Sequence, residues 1–81
     1  MDLEVELRFF AAARAAARTG SEHVPPGTLS QILNQLSAQN EELARVIPQC
    51  SFLVDALAVH DLDCEISAGS VIDVLPKFAG G

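Results

Sequence analysis

The sequence closes on Pro76-Lys77-Phe78-Ala79-Gly80-Gly81, and the group there with chemistry to offer is the α-carboxylate of Gly81. Glycine has no Cβ, so Gly80-Gly81 makes a thin lead that the active site of another protein could admit. A carboxylate is a poor electrophile, because its charge repels nucleophiles and its oxygen is a bad leaving group, so it must be activated before it reacts. The competing reading is that small residues collect at frayed termini, or that the glycines are a cloning remnant. The rest of the chain has to decide between the two.

Other reactive side chains are scattered. Cys50 and Cys64 form no CxxC pair and have no histidine at ligand spacing, so they read as reduced thiols and not as a zinc site or a disulfide framework. A redox or transfer nucleophile is the alternative for either, but no basic residue is placed nearby in sequence to lower a thiol pKa. His23 and His60 are isolated and receive no role. Asp61, Asp63 and Glu65 lack the glycine and the distant bidentate glutamate of a calcium loop, which leaves a solvated acidic turn. The sequence carries no Ser-His-Asp set, phosphate loop or metal cluster.

With 81 residues the chain makes one domain, near the size where a core just supports itself, and a large internal active-site cavity is not expected. It is 49% hydrophobic without Trp or Tyr, which indicates a compact core rather than disorder. Eleven acidic residues against five basic ones would repel nucleic-acid backbones and anionic lipid, so neither nucleic acid nor membrane is an expected partner, and a basic protein suits the charge better. No stretch is long and apolar enough to span a bilayer, and Met1-Asp2-Leu3-Glu4 carries acid where a signal peptide carries positive charge; the expected compartment is the cytoplasm.

The elements that would hold the tail follow from periodicity. Leu3, Val5, Leu7 and Phe9 alternate with Glu4, Glu6 and Arg8, the pattern of a half-buried strand. Residues 10–18 are alanine-rich with Arg14 and Arg18 one turn apart, a short helix or helical loop closed by Gly20. Residues 22–24 read as a second strand, after which Pro25-Pro26-Gly27 turns the chain. Thr28 and Gln31 have capping-box spacing, and Leu29, Ile32, Leu33 and Leu36 form the apolar stripe of the main helix. A shorter turn from about Glu41 carries Leu43, Val46 and Ile47 inward and stops at Pro48. Residues 50–54 and 57–60 read as strands around Asp55-Ala56, residues 61–70 as turns, and residues 71–75 as a closing strand that Pro76 ends. The architecture predicted is an α+β roll, a mixed sheet covered on one face by one main helix, over residues 1–76, with residues 77–81 as a flexible tail.

The sequence resembles the ubiquitin-like sulfur carriers, in particular the small subunit of molybdopterin synthase and the related thiamine-pathway carrier. The residues that carry the resemblance are the first strand with Arg8-Phe9-Phe10-Ala11-Ala12-Ala13-Arg14, the Thr28-Leu29 helix start, Phe52-Leu53-Val54-Asp55, and Val71-Ile72-Asp73-Val74-Leu75-Pro76 leading into Phe78-Ala79-Gly80-Gly81. The family usually has a second proline where Lys77 stands, an acid at Ala15, an Asn at Asp55 and Gly-Asp at Gly69-Ser70; none of these departures touches the diglycine.

The resemblance implies a β-grasp fold and a carrier that binds no cofactor itself. A ubiquitin-activating-type adenylyltransferase would use ATP to join AMP to Gly81, and a sulfur donor such as a persulfide sulfurtransferase would convert the adenylate to a thiocarboxylate. In the molybdopterin branch, which the length and the Phe78-Ala79-Gly80-Gly81 ending favour, Lys77, Phe78, Ala79 and Gly80 would enter the active site of the large subunit. Sulfur would pass there to a pyranopterin precursor within a heterotetramer. Carriers for thiamine or cysteine and an isopeptide-forming modifier are the alternatives. If Ile72 and Val74 point inward then Leu75 points out, a candidate partner anchor together with Leu57 and Val59. Phe78 would pack into a partner groove, and Lys77 would steer toward an acidic one.

Overall fold

The computed structural model describes residues 3–77. Most of the alternating start becomes strand β1 (Val5–Phe9), with Val5, Leu7 and Phe9 buried and Arg8 exposed, while Leu3, read as part of the same buried set, precedes the strand and is 71% exposed. Helix α1 (Ala11–Ala17) follows and buries Ala13 and Ala16. Gly20, the residue predicted to close this helix, does not. Arg18 takes the left-handed conformation at φ 62°, and its N–H donates to the Arg14 carbonyl over 2.9 Å. Gly20 instead accepts from the Phe9 amide at 2.9 Å as the chain enters β2 (Ser21–Val24), antiparallel to β1.

The main helix starts where Thr28 and Gln31 predict. Strand β3 (Gly27–Thr28) runs directly into helix α2 (Leu29–Gln39). Thr28 Oγ1 accepts from the Gln31 amide at 3.1 Å, and Gln31 Oε1 accepts from the Thr28 amide at 2.8 Å. The amides of Leu29 and Ser30 donate to the carbonyls of Cys64 and Leu62, so the first turn of α2 leaves few donors unmatched. Its stripe of Leu29, Ile32, Leu33 and Leu36 is buried, each side chain stabilising the fold by roughly 1.5–3 kcal/mol as an upper bound. Helix α3 (Glu41–Val46) buries Leu43 and is capped by Asn40, whose Oδ1 accepts from the amides of Glu42 and Leu43 while its Nδ2 donates to the Ala16 carbonyl at 2.9 Å. A 3-10 turn, Ile47–Gln49, contains Pro48.

The remaining strands are β4 (Cys50–Val54), β5 (Leu57–Val59), β6 (Glu65–Ile66) and β7 (Val71–Pro76). Five of them form one sheet in the order β2-β1-β7-β4-β5, with β1 and β7 parallel and the other pairs antiparallel. All three helices contribute to one core with the inward residues of this sheet; among the described residues the other face carries no helix. This is the predicted mixed-sheet roll: among the described residues the alanine-rich segment, the main helix and the shorter turn after Glu41 appear as α1, α2 and α3. Two details differ. The stretch 61–70 contains β6, which pairs with β3, and a two-residue strand has no period to detect. Pro76 does not end the ladder: it lies opposite Cys50, and the Lys77 amide donates to the Gln49 carbonyl at 2.8 Å.

The cap gives a direct test. Thr28→Ala is expected to lower stability by about 1 kcal/mol, read as a fall in the urea midpoint with an unchanged slope. A Cβ at Gly27 would sit 2.8 Å from Gln31 Oε1, so Gly27→Ala should break the other half of the box and be less than additive with Thr28→Ala.

Candidate functional site

Strand β7 is hydrogen-bonded on both sides, and its inward residues Ile72 and Val74 are 0% exposed. Whatever follows Lys77 is therefore attached to the best-anchored strand of the sheet. Lys77 itself is exposed, held by its backbone bond to Gln49. The predicted reactive residues Phe78, Ala79, Gly80 and Gly81 lie outside the described residues.

The uncovered sheet face beside this exit is built by alternation. Since Leu7 and Phe9 pair with Ile72 and Val74 on the core side, Arg8 and Asp73 face the other way and meet. Arg8 Nε donates to Asp73 Oδ1 at 2.6 Å and Arg8 Nη2 donates to Oδ2 at 3.0 Å, a two-pronged pair. The bond and charge of Asp73 raise the Arg8 pKa above its ordinary value. Asp73 is only 8% exposed although no helix covers it, because Arg8 lies over it. Leu75 is half-buried on this same face, as predicted from the inward placement of Ile72 and Val74.

Leu57 and Val59 do not join it. Their register partners are Val54 and Phe52, and Phe52 in turn pairs with Val74, so Leu57 and Val59 lie on the helix side of the sheet. Strand β4 also separates β5 from β7. Leu57 is 72% exposed at the sheet edge, whereas Val59 packs against the core. The other apolar residues on the open face here are instead Leu53, diagonal to Leu75, and Val71, on the far side of Asp73, both half-buried. Leu53 was detectable: with Cys50 and Phe52 inward, period-two alternation turns it out.

On the helix side, a groove of about 360 Å³ opens next to Lys77, with Ile47, Phe52 and Val59 along it and Cys50 and His60 in its walls. The Cys50 Sγ donates to the Val46 carbonyl at 3.3 Å, and burial pushes the thiol up, with the charge of Lys77 pulling it partly back. A thiol held neutral in this way is a poor nucleophile. His23 and His60 are both exposed. Asp61 Oδ1 accepts from the Asp63 amide at 2.9 Å, an ordinary turn bond, and Glu65 is drawn into β6 opposite Thr28. Among the described residues no three His, Cys, Asp or Glu side chains converge on a metal position, and no helix is long and apolar enough to cross a membrane.

A family model described as the ThiS family matches residues 7–81. No curated protein matches the chain. Among solved structures, the HVO 2177 protein of Haloferax volcanii is 26% identical with a TM-score of 0.80, over 98% of this chain and 87% of that one. The small archaeal modifier protein 1 of Methanosarcina acetivorans is 20% identical with a TM-score of 0.84, over 100% of this chain and 99% of its own. A complex of subunits 1 and 2 of the molybdopterin-converting factor of Helicobacter pylori gives 22% identity and a TM-score of 0.74, over 96% and 99%.

The state of Cys50 is open to measurement. Its folded pKa is raised, so the unfolded chain ionises this thiol first; the associated stability is complete below about pH 8.5 and declines as the pH climbs toward the folded value. Unfolding free energy should fall over that alkaline range, and Cys50→Ala should flatten the slope. Iodoacetamide at pH 8 should modify Cys50 roughly tenfold more slowly than the half-buried Cys64.

Proposed function

Because the chain belongs to the ThiS family, we propose that it is a ubiquitin-like sulfur carrier whose reactive group is the carboxylate of Gly81. The observation that carries this reading is the reach of the family match, which runs from β1 through the whole fold and includes Gly80-Gly81. The domain positions and is recognised; the chemistry belongs to its partners. A ubiquitin-activating-type enzyme transfers AMP from ATP to the Gly81 carboxylate and releases pyrophosphate. Sulfide attacks the carbonyl of the mixed anhydride, the C–O bond to AMP breaks, and AMP leaves a thiocarboxylate. Delivery from a persulfide passes through an acyl disulfide that a thiol must reduce.

Within the carriers, the reading taken is the small, sulfur-donating subunit of molybdopterin synthase, acting in the cytoplasm as part of a heterotetramer and passing sulfur to a pyranopterin precursor. The subunit 1 and 2 complex of the molybdopterin-converting factor, whose fold this chain shares, supports a large-subunit partner. In that arrangement Lys77, Phe78, Ala79 and Gly80 thread into the partner's active site, and Leu75 with Val71 and Leu53 on the open sheet face supplies apolar contact. The likeness to an archaeal modifier protein supports a second reading, in which a lysine amine attacks the same activated carbonyl and forms an isopeptide bond.

The product separates the two. Incubation with an activating enzyme, ATP and sulfide should raise the intact mass by the difference between sulfur and oxygen, and deletion of Gly81 should abolish the gain. Stable lysine conjugates with no thiocarboxylate would establish the modifier instead. Leu75→Asp should leave the mass gain possible but weaken binding to a large subunit by about 2 kcal/mol, roughly thirtyfold, in a titration.

A further inference from the structure

The chain is acidic as a whole, yet three of its five cations, Arg14, Arg18 and Lys77, lie at one end of the sheet. Strands β1 and β7 are parallel with Phe9 opposite Val74, so both finish at the same end of the sheet. The segment carrying α1 departs there and returns there, since Gly20 accepts from the Phe9 amide. Arg14, Arg18 and Lys77 therefore share the end where the chain leaves β7. Glu4 and Asp55 lie at the other end, where the Glu4 carbonyl accepts from the Gly69 amide and the Asp55 amide donates to the Val71 carbonyl.

Arg14 and Arg18 line an open hollow of about 460 Å³ with Ala11, Ala15, Thr19 and Gly20. The Arg14 guanidinium lies across Gly20, where an added Cβ would stand 3.5 Å from Cζ. Both arginines are exposed, and among the described residues the ion pair formed is that of Arg8 with Asp73, so neither guanidinium has a carboxylate partner there. Glu41 and Glu42 border the adjoining hollow with Arg18; they occupy the first turn of α3, where the helix favours negative charge. Beside the hollow, Phe10 is 39% exposed and offers an apolar contact.

We propose that the Arg14–Arg18 hollow docks a carboxylate-rich segment of a partner protein at the end of the sheet from which Lys77 leads the chain out. Charges at the far end lie about 17 Å away along a five-residue strand, beyond the roughly 8 Å screening length at physiological salt. The charged side chains that line the hollow itself are Arg14 and Arg18, with Glu41 and Glu42 bordering it on the Arg18 side, so a short acidic segment seated in it meets cations first, whereas an extended polyanion such as nucleic acid meets the net charge of −6. The partner surface at this end is acidic, opposite to what the net charge suggests. This surface does not depend on sulfur chemistry and would serve a modifier equally.

The full chain labelled with ¹⁵N, titrated with hexaglutamate peptide and followed through backbone amides and arginine Nε–Hε signals, tests the assignment. Saturable shifts confined to residues 10–20 and Lys77, weakening with added salt, are expected. Arg14→Gln and Arg18→Gln together should weaken the interaction roughly fivefold or more, with the unshifted core amides confirming the fold. Shifts that ignore the hollow, or survive both substitutions, overturn the proposal. So does inorganic phosphate producing the same saturable shifts as strongly as the peptide, which would make the hollow a small-anion site.

Discussion

Parallel pairing of the first and last strands is the constraint on which the molecule depends. Residues Glu6 to Phe9 are matched to Val71 to Val74, across nearly the whole length of the chain. Closing so long a loop costs entropy that grows only slowly with length, and burial of Val5, Leu7, Phe9, Ile72 and Val74 at the middle of the sheet offsets it. Once those two strands are side by side, the rest is restricted. A parallel neighbour requires a crossover, and all the helices supply it from one face, while β2 closes the outer flank of β1 and β4 with β5 closes that of β7. The exit of the chain is fixed by the same pairing, since β7 cannot shift register without turning Ile72 and Val74 out of the core.

Small residues make the helical layer fit. Ala13 is 0% exposed and Ala16 6%, so α1 contributes contact without bulk and can lie close to the sheet. Asn40 then ties the layer together: one side chain caps α3 through two amides and donates to the C-terminal turn of α1. Helices of seven and six residues would be marginal by themselves, and it is this shared packing and capping that holds them.

What could be read in the sequence were the features with a period or a cap. The alternation of Val5, Leu7 and Phe9, the stripe from Leu29 to Leu36, and the Thr28–Gln31 box each specify local structure through neighbours three or four residues away at most, and each is found in place. Features decided at long range were not legible. Strand β6 exists because residues 65 and 66 meet β3 across the fold, and the left-handed turn at Arg18 exists because β2 has to return beside β1. The same divide runs through the site. Leu75 faces out by local alternation, but grouping it with Leu57 and Val59 requires the strand order, which puts β4 between them and the two sets on opposite faces.

The open face of the sheet raises a problem that the Arg8–Asp73 pair resolves. A sheet with one bare face and two edges invites pairing with other copies. Here the edges are short, four residues in β2 and three in β5. The centre of the bare face, where β1 meets β7, carries an ion pair in place of the β-branched or aromatic residues that favour strands. A pair in which an exposed Arg8 covers a buried Asp73 offsets desolvation against attraction and adds little net stability, so its effect lies in what it prevents. Replacing both residues with apolar ones would join Val71, Leu75 and Leu53 into one continuous patch across β7 and β4. With the pair in place, the apolar surface is divided around a fixed polar centre, and whatever packs on this face has to match both.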